Sequence, residues 1–563
     1  MSRRILSLLL ALSAAFALAA CSGLPTTGSV NPGLPADEVP RTPDFLFVPN
    51  SPQPGMTPQQ IVQGFIDAGT SPVDNWAIAR LFLAPEARSL WNPEAGVTID
   101  SPGDRVYTEA SEDQITVTVT PSADVDETGA YAVSDAGATA LPFRLAQQSD
   151  GEWRIVEAND GIVLDRDFFV TVFDAYSIMF FDPTWEFLVP DVRWFPAREN
   201  SATRIATALV DGAPSPWLAA SLETAFPEDV ALASQSVTVD ADRAATVELR
   251  DSALALDPTI LNRMQAQLEA SLADAGVQSV QMAVDGAPLE ATAAPTRSTN
   301  VTTSPLVLND AGFGFLAGGE ITPIPGLSDT ITENLGAPPT SIQVGPQRDV
   351  AALQVAGGVV ARAQGDGTVL DVDTRPGLVA PSIDPSGYIW SVPHDSPTAL
   401  FVSGAAGTPS SVAGAWGDAS QIQALSVSRD GTRVVALVTV GGQHWAVVAG
   451  VVRDANGLPT ALGDAHRLAR LPGPGISVAW LDDVTIGVAA SDSGGIVILD
   501  QLVGGEGIAT DGPVGVTSLA GANQPSAVRL RDGAGILYIK RGTNWAQAGT
   551  GIFVLATQQG APR

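Results

Sequence analysis

Among 563 residues there is a single cysteine, Cys21, and it stands directly after Leu18-Ala19-Ala20. Leu-Ala-Ala-Cys resembles a bacterial lipobox, in which cleavage between Ala20 and Cys21 makes the cysteine the new N-terminus and its sulfur is diacylated. The resemblance implies a covalent diacylglycerol and an N-acyl lipid on Cys21, and no other cofactor. Two or three acyl chains, at about 0.8 kcal/mol per buried CH2, would hold a protein durably at a membrane surface. With no second thiol, Cys21 is not half of an internal disulfide.

Other chemistry is sparse. The three histidines, His394, His444 and His466, fall in no His-Glu-x-x-His or His-x-His pattern, so a zinc site lacks a ligand set. No Gly-x-Ser-x-Gly elbow is present. Lys540, the only lysine, follows the apolar run Ile536 to Ile539 and sits in none of the settings that a phosphate loop, a Schiff base or a Ser-x-x-Lys pair requires. The acidic pairs Asp482-Asp483, Glu228-Asp229 and Glu112-Asp113 stand beside predicted turns, where solvated carboxylates are ordinary. No catalytic or metal-binding residue is assigned, and the expectation is a protein that is not an enzyme.

The elements around Cys21 explain its placement. Arg3 and Arg4 precede the apolar run Ile5 to Leu18, which is short for a membrane span and has the order of a secretory signal. Residues 1–20 are therefore expected to be a lipoprotein signal peptide. An ordinary secretory peptide, an uncleaved signal anchor and twin-arginine export are the alternatives. The formal charge of −32, from 61 acidic and 29 basic residues, would repel a phosphate backbone, so nucleic acid is excluded as a partner.

Residues 21–56 are rich in proline and predict an extended tether. Residues 57–187 predict an α+β module, NTF2-like in the order of its elements. A helix follows Thr57-Pro58, a second runs from Trp76 towards Leu90, and strands lie at Gln114 to Thr120, Leu141 to Ala146 and Trp153 to Ala158. The aromatic stretch from Asp165 to Phe187 predicts two buried strands crossing between modules, with an apolar groove as the alternative. Residues 188–290 predict an α/β unit, with a helix capped by Ser201, a short helix over Trp217 to Phe226, and a long helix from Pro258 stopped by Gly276. Residues 291–304 are a linker. In residues 305–563 an apolar-turn-apolar unit recurs every 40 to 50 residues, at Pro305 to Phe315, Ile342 to Val355, Ser382 to Val392, Ser426 to Val440, Ser477 to Ala490 and Ala527 to Ile539. This is the spacing of propeller blades, about six of them.

Taken with Leu18-Ala19-Ala20-Cys21-Ser22-Gly23-Leu24-Pro25, three further segments carry a family resemblance. They are Ala79-Arg80 through Leu90-Trp91-Asn92-Pro93, Val189-Pro190-Asp191-Val192-Arg193-Trp194-Phe195-Pro196, and Ala202-Thr203-Arg204 through Asp211-Gly212 and Pro214-Ser215-Pro216-Trp217-Leu218 to Ala225-Phe226-Pro227. The chain resembles the actinobacterial lipoprotein LpqB family over nearly its whole length, and residues 188–290 resemble a GerMN domain. The resemblance implies a lipid-anchored protein on the extracytoplasmic face of the cell membrane. It further implies an accessory to the MtrA/MtrB two-component system, acting on the sensor kinase MtrB in envelope homeostasis and division. Peptidoglycan is a further candidate partner. A lipoprotein that binds cell-wall fragments or apolar molecules, and an enzyme acting on cell-wall glycan, are the rival functions.

If Cys21 carries the lipid, Cys21→Ser should leave the protein uncleaved or released from the membrane. Fractionation with metabolic lipid labelling checks this, and full labelling of the mutant would overturn the assignment.

Overall fold

The computed structural model describes residues 49–197, 200–234, 236–560 and 562, which form one compact body from Pro49 on. Cys21, Ala20, the signal segment and most of the tether lie outside the described residues. The first helix, Pro58–Asp67, starts in a capping box: the Thr57 hydroxyl accepts from the Gln60 N–H and the Gln60 side chain accepts from the Thr57 N–H. Its buried face is Ile61, Val62, Phe65 and Ile66. The run expected from Trp76 to Leu90 is divided into Val73–Leu81 and Pro85–Arg88. Between them, Ile155 donates to the Phe82 carbonyl and Ala84 donates to the Ile155 carbonyl, so the chain leaves the helix to pair with a strand.

Two four-stranded sheets complete this α+β module. One has the order Tyr131–Val133, Pro121–Asp126, Gly96–Asp100, Ile162–Asp165, with the last pair parallel. The other has the order Val106–Ser111, Gln114–Val119, Thr139–Gln147, Trp153–Glu157. Both bury an apolar face in a shared core with the helices.

The aromatic stretch crosses modules as one helix and one strand, not as two strands. Asp165 accepts from the Asp167 N–H and starts the helix Arg166–Val172, after which Phe173–Phe181 is extended. Phe169 and Phe173 stack at 5.4 Å in the first core, while Phe180 and Phe181 are buried in the second. These four rings fill cores, and the space of about 160 Å³ beside Phe187 has Asp182, Glu186, Arg297, Asp430 and Arg453 in its walls, which is not an apolar groove.

In the second module the helix Ser201–Val210 is preceded by Asn200 in a left-handed conformation, so Ser201 is its first residue and not its cap. The short helix expected over Trp217 to Phe226 is replaced by turns, because Glu223 exchanges two main-chain hydrogen bonds with Phe181. The helix Pro258–Ala273 lies against a sheet ordered Thr238–Val239, Ala244–Glu248, Ser279–Val284, Ala287–Pro288.

Beyond it, six blades form the propeller, each of four strands except the fourth, where Pro459–Leu462 and His466–Leu471 both pair with Gln443–Arg453. The first blade takes its inner strand, Val554–Gln558, from the end of the chain and pairs it with Leu306–Asn309, while the same strand pairs in parallel with Pro339–Val344 of the second blade. The ring is thereby closed by non-local pairing. Four of the recurring segments form the first two strands of their blades. Ala527 to Ile539 instead supplies Arg529–Asp532 and part of Leu537–Arg541, the second and third, behind the inner strand Val516–Ala520. The turns behave as Asp and Gly demand: the Asp384 carboxylate accepts from the Ser386 and Tyr388 N–H groups, and Asp532 does the same with Ala534 and Ile536.

The strand Leu188–Pro196 joins these parts. Eight of its nine residues are buried with no alternation, which means that it is covered on both faces. Arg193 donates to the Asp191 carboxylate (2.8 Å) and to the Thr128 carbonyl and hydroxyl in the first module. Asp191 also accepts from the Ser215 N–H and hydroxyl, both at 2.7 Å. Trp194 packs on Phe169 in the first core and donates through Nε1 to the Gly504 carbonyl of the propeller (2.7 Å). Arg433, buried in the propeller with Asp430, reaches the Pro190 carbonyl.

The expected linker 291–304 is likewise fastened at both ends. Arg297 pairs with Glu186 at 2.8 Å and lies over the Phe187 ring, and Val301 exchanges hydrogen bonds with Asn523.

Asp191→Ala would leave the Arg193 guanidinium buried without its counter-charge, a change expected to cost about 3–5 kcal/mol. Urea denaturation of the full chain measures it, and an unchanged midpoint would show that the pair is not a structural requirement.

Candidate functional site

At the meeting of the three modules the chain leaves a cleft of about 380 Å³. Each wall comes from a different module. Asp124 and Asp126 end the strand Pro121–Asp126, and Tyr131 begins the strand paired with it. Pro190, Asp191 and Val192 come from the bridging strand, and Ser215, Pro216 and Trp217 from the turns that replace the expected short helix. The propeller contributes Asp464, Ala465 and His466 from blade four, and Val503 with Gly504 from blade five.

Packing explains why these residues converge. Gly504, at φ +89°, lets the propeller main chain approach Val192; a β-carbon there would stand 3.2 Å from the Val192 Cβ. Trp217 lies flat against His466, with ring centroids 5.5 Å apart and planes at 11°, so an aromatic pair spans the interface between the second module and the propeller. Burial holds the His466 imidazole below its ordinary pKa, a tendency that nearby Asp191 and a hydrogen bond with the Tyr131 main chain oppose. At neutral pH this ring is uncharged. Burial also raises the Tyr131 phenol, which stays protonated.

Charge in the cleft is one-sided, since its lining carries the carboxylates of Asp124, Asp126, Asp191 and Asp464 and no arginine or lysine. Asp191 is engaged by Arg193 and Ser215. Asp126 spends one oxygen on the Thr128 and Ala130 N–H groups, and Asp124 accepts from Thr98 through one oxygen. Asp464 is exposed and has no hydrogen-bond partner among the described residues.

The remaining candidates from the sequence are dispersed. His394 bonds exposed Asp395, and His444 bonds Thr439. Lys540 pairs with Asp500 between neighbouring blades. In the pair Asp482-Asp483, Asp482 accepts from the Val484 and Thr485 N–H groups, while burial raises the Asp483 carboxyl. Among the described residues no group of three or more His, Cys, Asp or Glu is arranged to hold a metal ion.

Near the propeller axis the inner strands are cross-tied. Gln559 donates to the Val427 and Ser428 carbonyls, Arg429 donates to the Trp480 carbonyl, and a void of only about 10 Å³ remains among them. That is room for about one water. Of the cleft residues, sequence reasoning had singled out His466 only as an isolated histidine, and Asp191, Ser215 and Trp217 only as parts of longer segments. Nothing in the local pattern marks positions 124, 191, 217 and 466 as neighbours.

Three family models match the chain: the N-terminal domain of lipoprotein LpqB over residues 51–170, the sporulation and spore germination domain over residues 177–290, and the LpqB β-propeller domain over residues 313–553. Lipoprotein LpqB of Mycobacterium tuberculosis is 27% identical over 600 residues, covering 95% of each chain. That of Rhodococcus opacus is 25% identical over 86% of this chain and 85% of its own. The Thermobifida fusca protein is 31% identical over 48% of this chain and 45% of its own. The match to three modules in sequence order agrees with the multidomain, mostly β architecture described above.

The depressed His466 gives a pH signature. An unfolded chain takes up this proton near the ordinary value of 6.5 and the folded chain only at lower pH, so the contribution is fully present above 6.5 and is lost as pH falls through the folded pKa. His466→Gln should therefore show a smaller fall in thermal midpoint between about pH 7 and about pH 5 than the parent. Equal falls would remove His466 from the acid response.

Proposed function

Because the chain belongs to the LpqB lipoprotein family, we propose that it is a lipid-anchored protein of the extracytoplasmic membrane face that modulates an MtrB-like sensor kinase in envelope homeostasis and division. In this reading Cys21 carries the anchor, and the folded body is a docking surface with no catalytic role. The observation that carries it is the bridging strand Leu188–Pro196, whose buried side chains fasten three modules into one body. A body of fixed shape presents a fixed surface, and a fixed surface can favour one conformation of a partner over another.

Confinement by a lipid raises the effective concentration of that surface beside a membrane kinase, so a weak interface suffices. The proline-rich segment 21–56 supplies reach. The affinity difference between kinase conformations sets how far signalling shifts, whatever the total affinity.

Photocrosslinking in intact cells tests this directly, from exposed Leu254 in the second module and exposed Val514 in the propeller. Capture of the sensor kinase from either position is the expected result. Capture of no membrane kinase from either position would overturn the reading.

A further inference from the structure

We propose that the three-module cleft is a binding site for a small organic cation, a charged nitrogen carried on a short apolar stem. This inference is independent of the partner named above, since it rests on the cleft alone. At about 380 Å³ the cleft lies within the range of roughly 300–1,000 Å³ found for ligand pockets. It is built from all three modules, at a junction of the kind where such pockets concentrate.

The charge pattern selects the ligand class. Asp124 and Asp126 each have one carboxylate oxygen without a hydrogen-bond partner, and Asp464 has both, while no cationic side chain lines the walls. The two arginines that adjoin lining residues along the chain are committed elsewhere: Arg467 pairs with Asp135 and lies over the Trp445 ring, and Arg193 is engaged by Asp191, Thr128 and the Ala213 carbonyl. His466 is neutral and offers a cation no repulsion. An anion would meet four carboxylates and no cationic side chain in the lining, and is disfavoured on the same grounds.

The apolar part of the ligand is set by Trp217, with its ring fixed by the His466 stack, and by Pro216, Val192 and Val503. An indole also attracts a cation through its ring quadrupole. A primary ammonium on a four- or five-carbon stem satisfies both halves of the site, whether it arrives as a free diamine or as the side chain of a peptide. Because the walls belong to three modules, such a ligand favours the assembled body over any state in which the modules separate.

Titration calorimetry on the full lipidated chain in detergent tests the site with three probes: 1,5-diaminopentane, N-acetyl-lysine methylamide and the uncharged N-acetyl-norleucine methylamide. Saturable binding of at least one amine, about tenfold or more tighter than the norleucine compound, is expected. Tighter binding of the lysine derivative than of the diamine assigns the cation to a peptide side chain, and the reverse assigns it to a free amine. The double variant Asp124→Asn, Asp464→Asn keeps an acceptor for Thr98 and alters an exposed position, so it should fold with an unchanged thermal midpoint and bind the amine at least tenfold more weakly. Affinity of both amines no greater than that of the norleucine compound, undiminished binding by the folded variant, or no saturable binding of either amine at millimolar concentration would each overturn the proposal.

Discussion

A buried carboxylate between two modules sets the terms for the rest of this structure. Asp191 accepts from Arg193 on its own strand and from both donors of Ser215, and Arg193 passes the connection on to Thr128 and to the Ala213 carbonyl. Taking two charges out of water costs several kcal/mol per ion, and the cost is offset only where hydrogen bonds satisfy the remaining donors and lone pairs. Here Ser215 and Ala213 belong to the same module as the pair and Thr128 to the first, so the guanidinium is fully satisfied only when those two modules are in place. The next residue, Trp194, adds its ring to the first core and its N–H to Gly504 of the propeller. A nine-residue strand thus specifies one arrangement of three modules that would each have their own core.

The propeller obeys a similar logic of remote closure. Its first blade is incomplete until Val554–Gln558 pairs with Leu306–Asn309, across about 250 residues, a non-local pairing of the kind that folds slowly and cooperatively. The residue after that strand, Gln559, then crosses the axis and ties the carbonyls of Val427 and Ser428. Around Gln559 the inner strands leave only about 10 Å³, whereas the three-module cleft of about 380 Å³ lies outside the ring.

Much of the fold was legible where local rules are strong. Thr57-Pro58 with Gln60 marked a helix start, and a helix stands there because cap chemistry is local. Asp-Pro-Ser-Gly and Asp-Gly marked turns between paired strands for the same reason. Legibility failed where a distant strand competed with a local preference. The helix pattern after Trp76 yields at Leu83 to pairing with Ile155, and that after Trp217 yields to the bridge between Glu223 and Phe181. Propeller spacing was visible, yet the phase of the first and last repeats slipped, because inner and outer strands of a blade share the same period of two.

Types and spacing alone placed one reactive thiol after a small-residue site near the start, excluded a histidine metal motif, and set out the order of an α+β region, an α/β unit and a repeating β region. These follow from composition, period and turn chemistry, each read within a window of ten or twenty residues. The cleft is different in kind. Asp124, Asp191, Trp217 and His466 become neighbours only because a fully buried strand brings three cores together. Burial on every side leaves no periodic mark in the chain that tertiary contact alone could interpret.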